Sequence, residues 1–489
     1  MTRIACPLAR LVVFVDLAVF TALAAGSMIP ASSTPAFAAD EQRVRLDAQT
    51  GVAVTIYNED LALVKDRRDV TLAKGGNRIA FVDVSGALRP ETALLKSKRG
   101  GIDILEQNFD FDLLTPEKLL EKSIGGMVRL IRTHPETGVD TIEQAKVLSV
   151  AGGTVLQVGD RIETNPPGRI VFAEVPPNLR ARPTLVLELE SAVAGTEAVE
   201  LSYLTGGLGW KADYVAELAA DEKTLDVNAW VTLTNTSGTT YRNAKLQLVA
   251  GDVNRVRDMM GRRERAVAMM ADSEMAAPKM REESLFEYHL YTLERPTTVA
   301  ENQTKQVALL SGSKIPVKKQ YRLENASNRY EYWPHEIPRV NPTVSIAFDN
   351  KESEGLGLAL PKGIVRVYKA DSEGQALFVG EDSIEHTPKN ETVELALGKA
   401  FDVTARSKQT DYDQIAKNVI EVAFEVELKN AKKEPVTVVV AESLPAEWKV
   451  IEESHEHKEA NAFLAEWLVP LPAEGEAKLT YRIRITYGN

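Results

Sequence analysis

Phe286 to Leu310 reads FEYHLYTLERPTTVAENQTKQVALL, and the way this stretch folds decides the architecture. In its first half Phe286, Tyr288 and Leu290 alternate with Glu287, His289 and Tyr291. That period of two places one set on a core face and the other toward solvent. Arg295-Pro296-Thr297-Thr298 then interrupts the ladder, because proline brings no backbone donor. From Gln303 a second strand begins through Lys305, Val307 and Leu309, turning apolar as it proceeds. Two strands joined by an ordered crossing, set between two strand-rich halves, predict a segment that ties both halves into one body.

Strand grammar continues on both sides. Val52, Val54 and Ile56 alternate, Asn58-Glu59-Asp60 punctuates, Leu61 to Val64 follows, and Lys74-Gly75-Gly76-Asn77 is a hairpin turn before Arg78 to Val82. Thr115-Pro116-Glu117 starts a short helix with a capping hydroxyl, a proline at the first helical position and an early carboxylate. It stops at Gly125-Gly126. Short strands between Met127 and Phe172 then predict a small SH3-like barrel inserted at about residues 118–175. Such barrels bind peptides or nucleic acids in some settings. No basic stripe or aromatic platform is visible here, so a purely structural module is preferred.

The phrase YLTGGLGWKADY, Tyr203 to Tyr214, bends on glycine. It is not a phosphate loop, since no GxxxxGK[ST] follows, and its glycines suit a strand that turns or bulges. Two later segments echo each other: LDVNAWVTLTN from Leu225 and IEVAFEVELKN from Ile420 are both alternating strands that stop at an x-Asn turn, as in immunoglobulin-like sandwiches. Between Arg255 and Ser284 the pattern gives way to an Ala, Met, Arg and Glu mixture that predicts a flexible insertion. The fold class expected is all-β: multidomain immunoglobulin-like sandwiches with the small barrel and the Met/Ala-rich insertion. The expected divisions are 1–38, 39–195, 196–398 and 399–489.

FEYHLYTLERPTTVAENQTKQVALLS, YLTGGLGWKADY and LDVNAWVTLTN together resemble the bacterial domain-of-unknown-function 4139 (DUF4139) family, relatives of the mucoidy-inhibitor-like proteins. The likeness runs from about Val44 to the C-terminus. It implies an exported β-rich protein with a variable low-complexity insertion before the Phe-Glu-Tyr strand, and it supplies no catalytic residue or cofactor to carry over.

Composition sets the address and narrows the chemistry. Arg3 and Arg10, the apolar run Leu11 to Ala25 and Ala36-Phe37-Ala38 form a secretory signal, with cleavage expected after Ala38. The run is too short to anchor the chain in a bilayer. Cys6, the single cysteine, lies inside that segment, so the exported protein has no disulfide and no thiol chemistry. A net charge of −12 argues against nucleic acid and anionic membrane as partners. A chain of 489 residues suggests about three domains.

Candidate sites are few. Met259, Met260, Met269, Met270, Met275 and Met280 crowd into the insertion and could offer soft ligands to Cu(I), although their spacing is irregular. His455 and His457 on an extended segment could place two imidazoles on one face for zinc, within a charged turn that also reads as a solvated loop. Tyr330, Tyr332, Trp333 and His335 form an aromatic knot: exposed, a platform for sugar or peptide; buried, a sandwich corner, which is the preferred reading. Asp110 with Asp112 and Asp411 with Asp413 are possible carboxylate pairs, but spacing alone gives no glycosidase geometry. GxSxG is absent, and HEIPR at His335 is not HExxH.

The reading that follows is a non-catalytic periplasmic or secreted protein, without cofactor, that binds or scaffolds a protein or glycan component of the cell envelope. The competing reading is an envelope glycan or peptide hydrolase with an acidic or metal-bound site.

Overall fold

The computed structural model describes residues 41–58, 60–110, 112–176, 179–251, 254, 280–327, 330–333, 335–445 and 447–487. Strands dominate, and the one α-helix among the described residues, Pro116–Lys122, is capped by the Thr115 hydroxyl accepting from the Lys118 amide at 3.2 Å. A broad sheet runs Arg281–Leu285, Tyr288–Thr292, Tyr241–Ala250, Gln49–Tyr57, Leu61–Leu72, Gly195–Thr205 and Leu94–Ser97, with Thr297–Val299 also paired to Tyr241–Ala250. A five-stranded sheet of Gln303–Pro316, Thr224–Asn235, Leu208–Leu218, Gly363–Ala370 and Ala376–Ile384 shares its core. So does a four-stranded sheet of Gln42–Val44, Gly75–Val82, Thr184–Ser191 and Ile102–Asp110. Strand pairing thus runs across the expected division at residue 195. The chain passes from the broad sheet to the five-stranded one at Gly206-Gly207. Gly207 has φ +75°, and a Cβ there would lie 2.6 Å from the Ser237 Cα, so only glycine fits the corner.

The deciding stretch does cross between sheets, and its first half is a strand, Tyr288–Thr292, that a hairpin turn joins to a strand before the stretch. Arg281–Leu285 pairs antiparallel with Tyr288–Thr292, and the turn falls at Phe286, which has φ +57° and is 85% exposed. Residues 281–284, expected in the flexible insertion, are therefore strand. Within Tyr288–Thr292, Tyr291 points into the core. Its phenol donates to the Ala359 carbonyl at 2.9 Å and its ring meets Trp210 edge-on. A tyrosine can face inward when its hydroxyl finds such an acceptor. After the crossing, Gln303–Pro316 runs beside Thr224–Asn235 in the facing sheet.

A second core fills the C-terminal sandwich. One of its sheets orders Thr392–Lys399, Thr343–Asp349, Lys318–Glu324, Val436–Ser443, Leu464–Leu471 and His457–Asn461; the other orders Glu336–Val340, Val403–Ala416, Val419–Asn430, Glu476–Thr486 and Glu447–Glu453. Strands between 318 and 349 thus join a sandwich expected to begin at 399. Glu222 bridges Lys319 and Lys369, at 2.6 Å each, and so ties this sandwich to the central one. Burial raises its carboxyl, but the two ammonium groups outweigh that and hold it down at about 2.

The echoed segments match at the atomic level. Asn235 donates to the Thr239 and Val299 carbonyls and accepts from the Ser237 amide; Asn430 donates to the Glu434 and Pro472 carbonyls and accepts from the Lys432 amide. Each asparagine closes its own turn and pins a distant loop. In the insert, Arg161–Thr164, Val155–Val158, Asp140–Ser149, Met127–Thr133 and Arg169–Val171 form one sheet in that order over a small core of Val128, Leu130, Ala145, Val147, Leu156 and Val158. Where a small barrel was expected, no closing pair joins the two edge strands among the described residues.

Candidate functional site

A concavity lies at one end of the C-terminal sandwich. Val436–Ser443 ends where Leu444-Pro445 turns away, and the Leu444 amide donates to the Phe463 carbonyl at 2.8 Å. This bond seats the tip of the next hairpin, whose strands are His457–Asn461 and Leu464–Leu471. Asn461 shapes that tip by accepting from the Phe463 amide at 2.8 Å, a local asparagine turn. Phe463 is left 62% exposed. Opposite it, the half-buried Tyr330 donates to the Ser443 carbonyl at 2.7 Å and sets its ring edge-on to Phe424. Burial pushes its phenol up. The groove that Phe463 and Tyr330 line holds about 530 Å³ and is also lined by Ser443, Leu444, Pro445, Asn461 and Leu464. An anchored aromatic facing an exposed one, over apolar walls with a few polar groups, suits binding an extended apolar or aromatic-containing ligand.

Beneath it, Glu442 is fully buried. It accepts from the Ser327 amide at 3.0 Å and the Ser327 hydroxyl at 2.6 Å. Burial pushes its carboxyl up to about 7 against the pull of those donors. This acid supports the strand under the groove and lies apart from its open surface.

The four expected aromatic-knot residues are divided. Tyr330 belongs to the groove. Tyr332 is 67% exposed and meets Tyr412 edge-on, while Trp333 meets His335 at 5.2 Å between ring centroids. Gln409 holds this run against Val403–Ala416 with both ends of its amide, accepting from the Trp333 amide and donating to the Glu331 carbonyl. The knot is therefore a surface feature with one anchored member, rather than the buried corner preferred from sequence. The reason is this strand-side staple, which pulls the segment flat.

The expected metal residues are not gathered. His457 sits between Trp448 and Trp467 and shares its Nδ1 with Glu453, which also accepts from the Trp467 indole at 2.8 Å. His455 places its Nδ1 against the Ser454 hydroxyl. Among the described residues no group of three or more His, Cys, Asp or Glu side chains is arranged to hold a metal ion. Met280 is 5% exposed and packs in the main core; Met259, Met260, Met269, Met270 and Met275 lie outside the described residues. The carboxylate pairs are engaged by cations: Asp110 by Arg180, Asp112 by Lys122, and Asp411 and Asp413 by Arg482.

Sequence reasoning missed the groove because its walls come from residues 330, 443–445 and 461–464, far apart along the chain. A signal for Glu442 did exist: it sits in VTVVVAES, an acid inside an apolar run. The family model of the domain of unknown function DUF4139 matches residues 199–489. That is more than half of the chain, which therefore belongs to this family. No curated protein matches it.

Proposed function

We propose that this protein is an exported, non-catalytic component of the cell envelope that binds or scaffolds another envelope component, and that the groove at Tyr330 and Phe463 is a contact surface. The observation that carries this reading is the exposed Phe463 held opposite an anchored Tyr330 over apolar walls. Exposed aromatics at a preformed recess are the usual energetic centre of a binding surface. The signal-like first 38 residues supply the periplasmic or secreted address, and the strand-rich body supplies rigidity. The experiment is affinity capture from envelope extract with the wild type and with Phe463→Ser as baits. A defined protein or glycan retained by the wild type and lost with the variant supports the proposal. Identical capture by both baits refutes the role of the groove.

A further inference from the structure

The inserted sheet has two faces of different chemistry. On the core side, Arg132, Arg161, Glu143 and Glu163 form a closed ring at the rim. Arg132–Glu143 is 2.9 Å, Arg161–Glu143 is 2.6 Å and Arg161–Glu163 is 2.7 Å, and Arg132 also pairs with Glu163. Every charge there is answered.

Alternation sends Met127, Arg129 and Ile131 to the opposite face, beside Ile142, Gln144 and Lys146 on the next strand. The register sets Met127 against Lys146, Arg129 against Gln144 and Ile131 against Ile142, with Arg169 opposite Ile131 at one edge. At the other edge Ile162 stands opposite Gln157, which is itself opposite Lys146. Met127 and Ile142 are each 59% exposed and Ile162 is 66% exposed. Arg169 pairs with Asp140 at 2.9 Å, and among the described residues neither Arg129 nor Lys146 makes an ion pair. In a chain of net charge −12, this face presents three cations against one carboxylate, interleaved with uncovered aliphatic side chains.

We propose that this face is a docking surface for an acidic, aliphatic-containing segment of a partner protein. Carboxylates of the segment would meet Arg129 and Lys146, and its apolar side chains would cover Met127, Ile142 and Ile162. Complementary charge selects the partner and apolar contact holds it. Three cations among aliphatic residues fit this occupant better than a nucleic acid, which needs a longer basic track and stacking rings.

The test uses the whole chain and a fluorescent octapeptide of alternating Glu and Val. The Lys-Val octapeptide and phosphatidylglycerol vesicles serve as comparison probes, and sedimentation reports self-association. The Glu-Val peptide is expected to bind at least about tenfold more tightly than the Lys-Val peptide and to weaken with added salt. The variant Arg129→Glu with Lys146→Glu is expected to lose about tenfold in affinity for it with an unchanged melting temperature. If that variant does not fold, Lys146→Gln is the substitute and is expected to weaken binding in the same direction. Equal binding of the two peptides, an unaffected folded variant, preference for the vesicles, or a dimer that the variant dissolves would each overturn the proposal.

Discussion

Replacing Glu442 with Gln keeps the side chain's shape and one of the two oxygens that accept from Ser327, turns the other into an amide nitrogen, and removes the ability to ionise. In the folded chain burial pushes this carboxyl from the ordinary 4.5 up to about 7. An unfolded chain therefore releases the proton first. The stability this group gives is fully present below about pH 4.5, falls as pH rises, and is lost above about 7. At about 1.4 kcal/mol per pH unit, the interval from 4.5 to 7 corresponds to about 3 kcal/mol, most of which falls between pH 5 and pH 8. The assay is urea denaturation of both proteins at unit pH steps across that range. Tryptophan fluorescence follows the C-terminal core, where Trp467 stacks on Tyr481 at 4.5 Å. All other groups are common to both proteins and cancel in the difference. The stability of Glu442→Gln minus that of the wild type is expected to grow by about 2–3 kcal/mol from pH 5 to pH 8. A difference that stays flat, or that shrinks as pH rises, would refute the reasoning.

Arg68 is wholly buried and donates to Asp66, to the Val44 carbonyl at 2.8 Å and to the Val82 carbonyl at 2.7 Å. Arg68→Met leaves that buried carboxylate without its cation, held by the Gln49 side-chain amide, and should cost about 3–5 kcal/mol in urea denaturation, with much of it recovered when Asp66→Leu is added. Asn235→Ala and Asn430→Ala each break one two-loop bracket and should each lower stability by about 1–3 kcal/mol, read from thermal melting of the single variants. Gly207→Ala forces a methyl group onto the Ser237 backbone. It should cost more than about 1 kcal/mol by the same melting assay, and an unchanged melt would show that the corner can relax.

Where the sequence was legible, one face of a strand was cleanly apolar. Ile420, Val422, Phe424, Val426 and Leu428 alternate with wetter positions along Val419–Asn430, and all five are buried. Parity also carried information that charge concealed. In Lys65-Asp66-Arg67-Arg68-Asp69, the even positions share a face with Val64 and Val70 and must go inside with them, however polar the run looks. The hairpin tip at Phe286 was invisible because no glycine or asparagine marks the left-handed position. The two-faced charge of the insert was equally hidden, since Arg129, Lys146 and Arg169 adjoin only after three strands pair. The groove needed three distant turns brought to one end of a sandwich, which no local pattern encodes.

The hairpin of Gln49–Tyr57 and Leu61–Leu72 lies between Tyr241–Ala250 and Gly195–Thr205, although the family match opens only at residue 199. A fragment cut to the matched residues would keep the two outer strands and lose what separates them. Each would then present a row of bare amides and carbonyls, a template for joining another copy. The matched segment is thus smaller than the sheet it helps to build, and an expression fragment should begin upstream of Gln42 to give a soluble product.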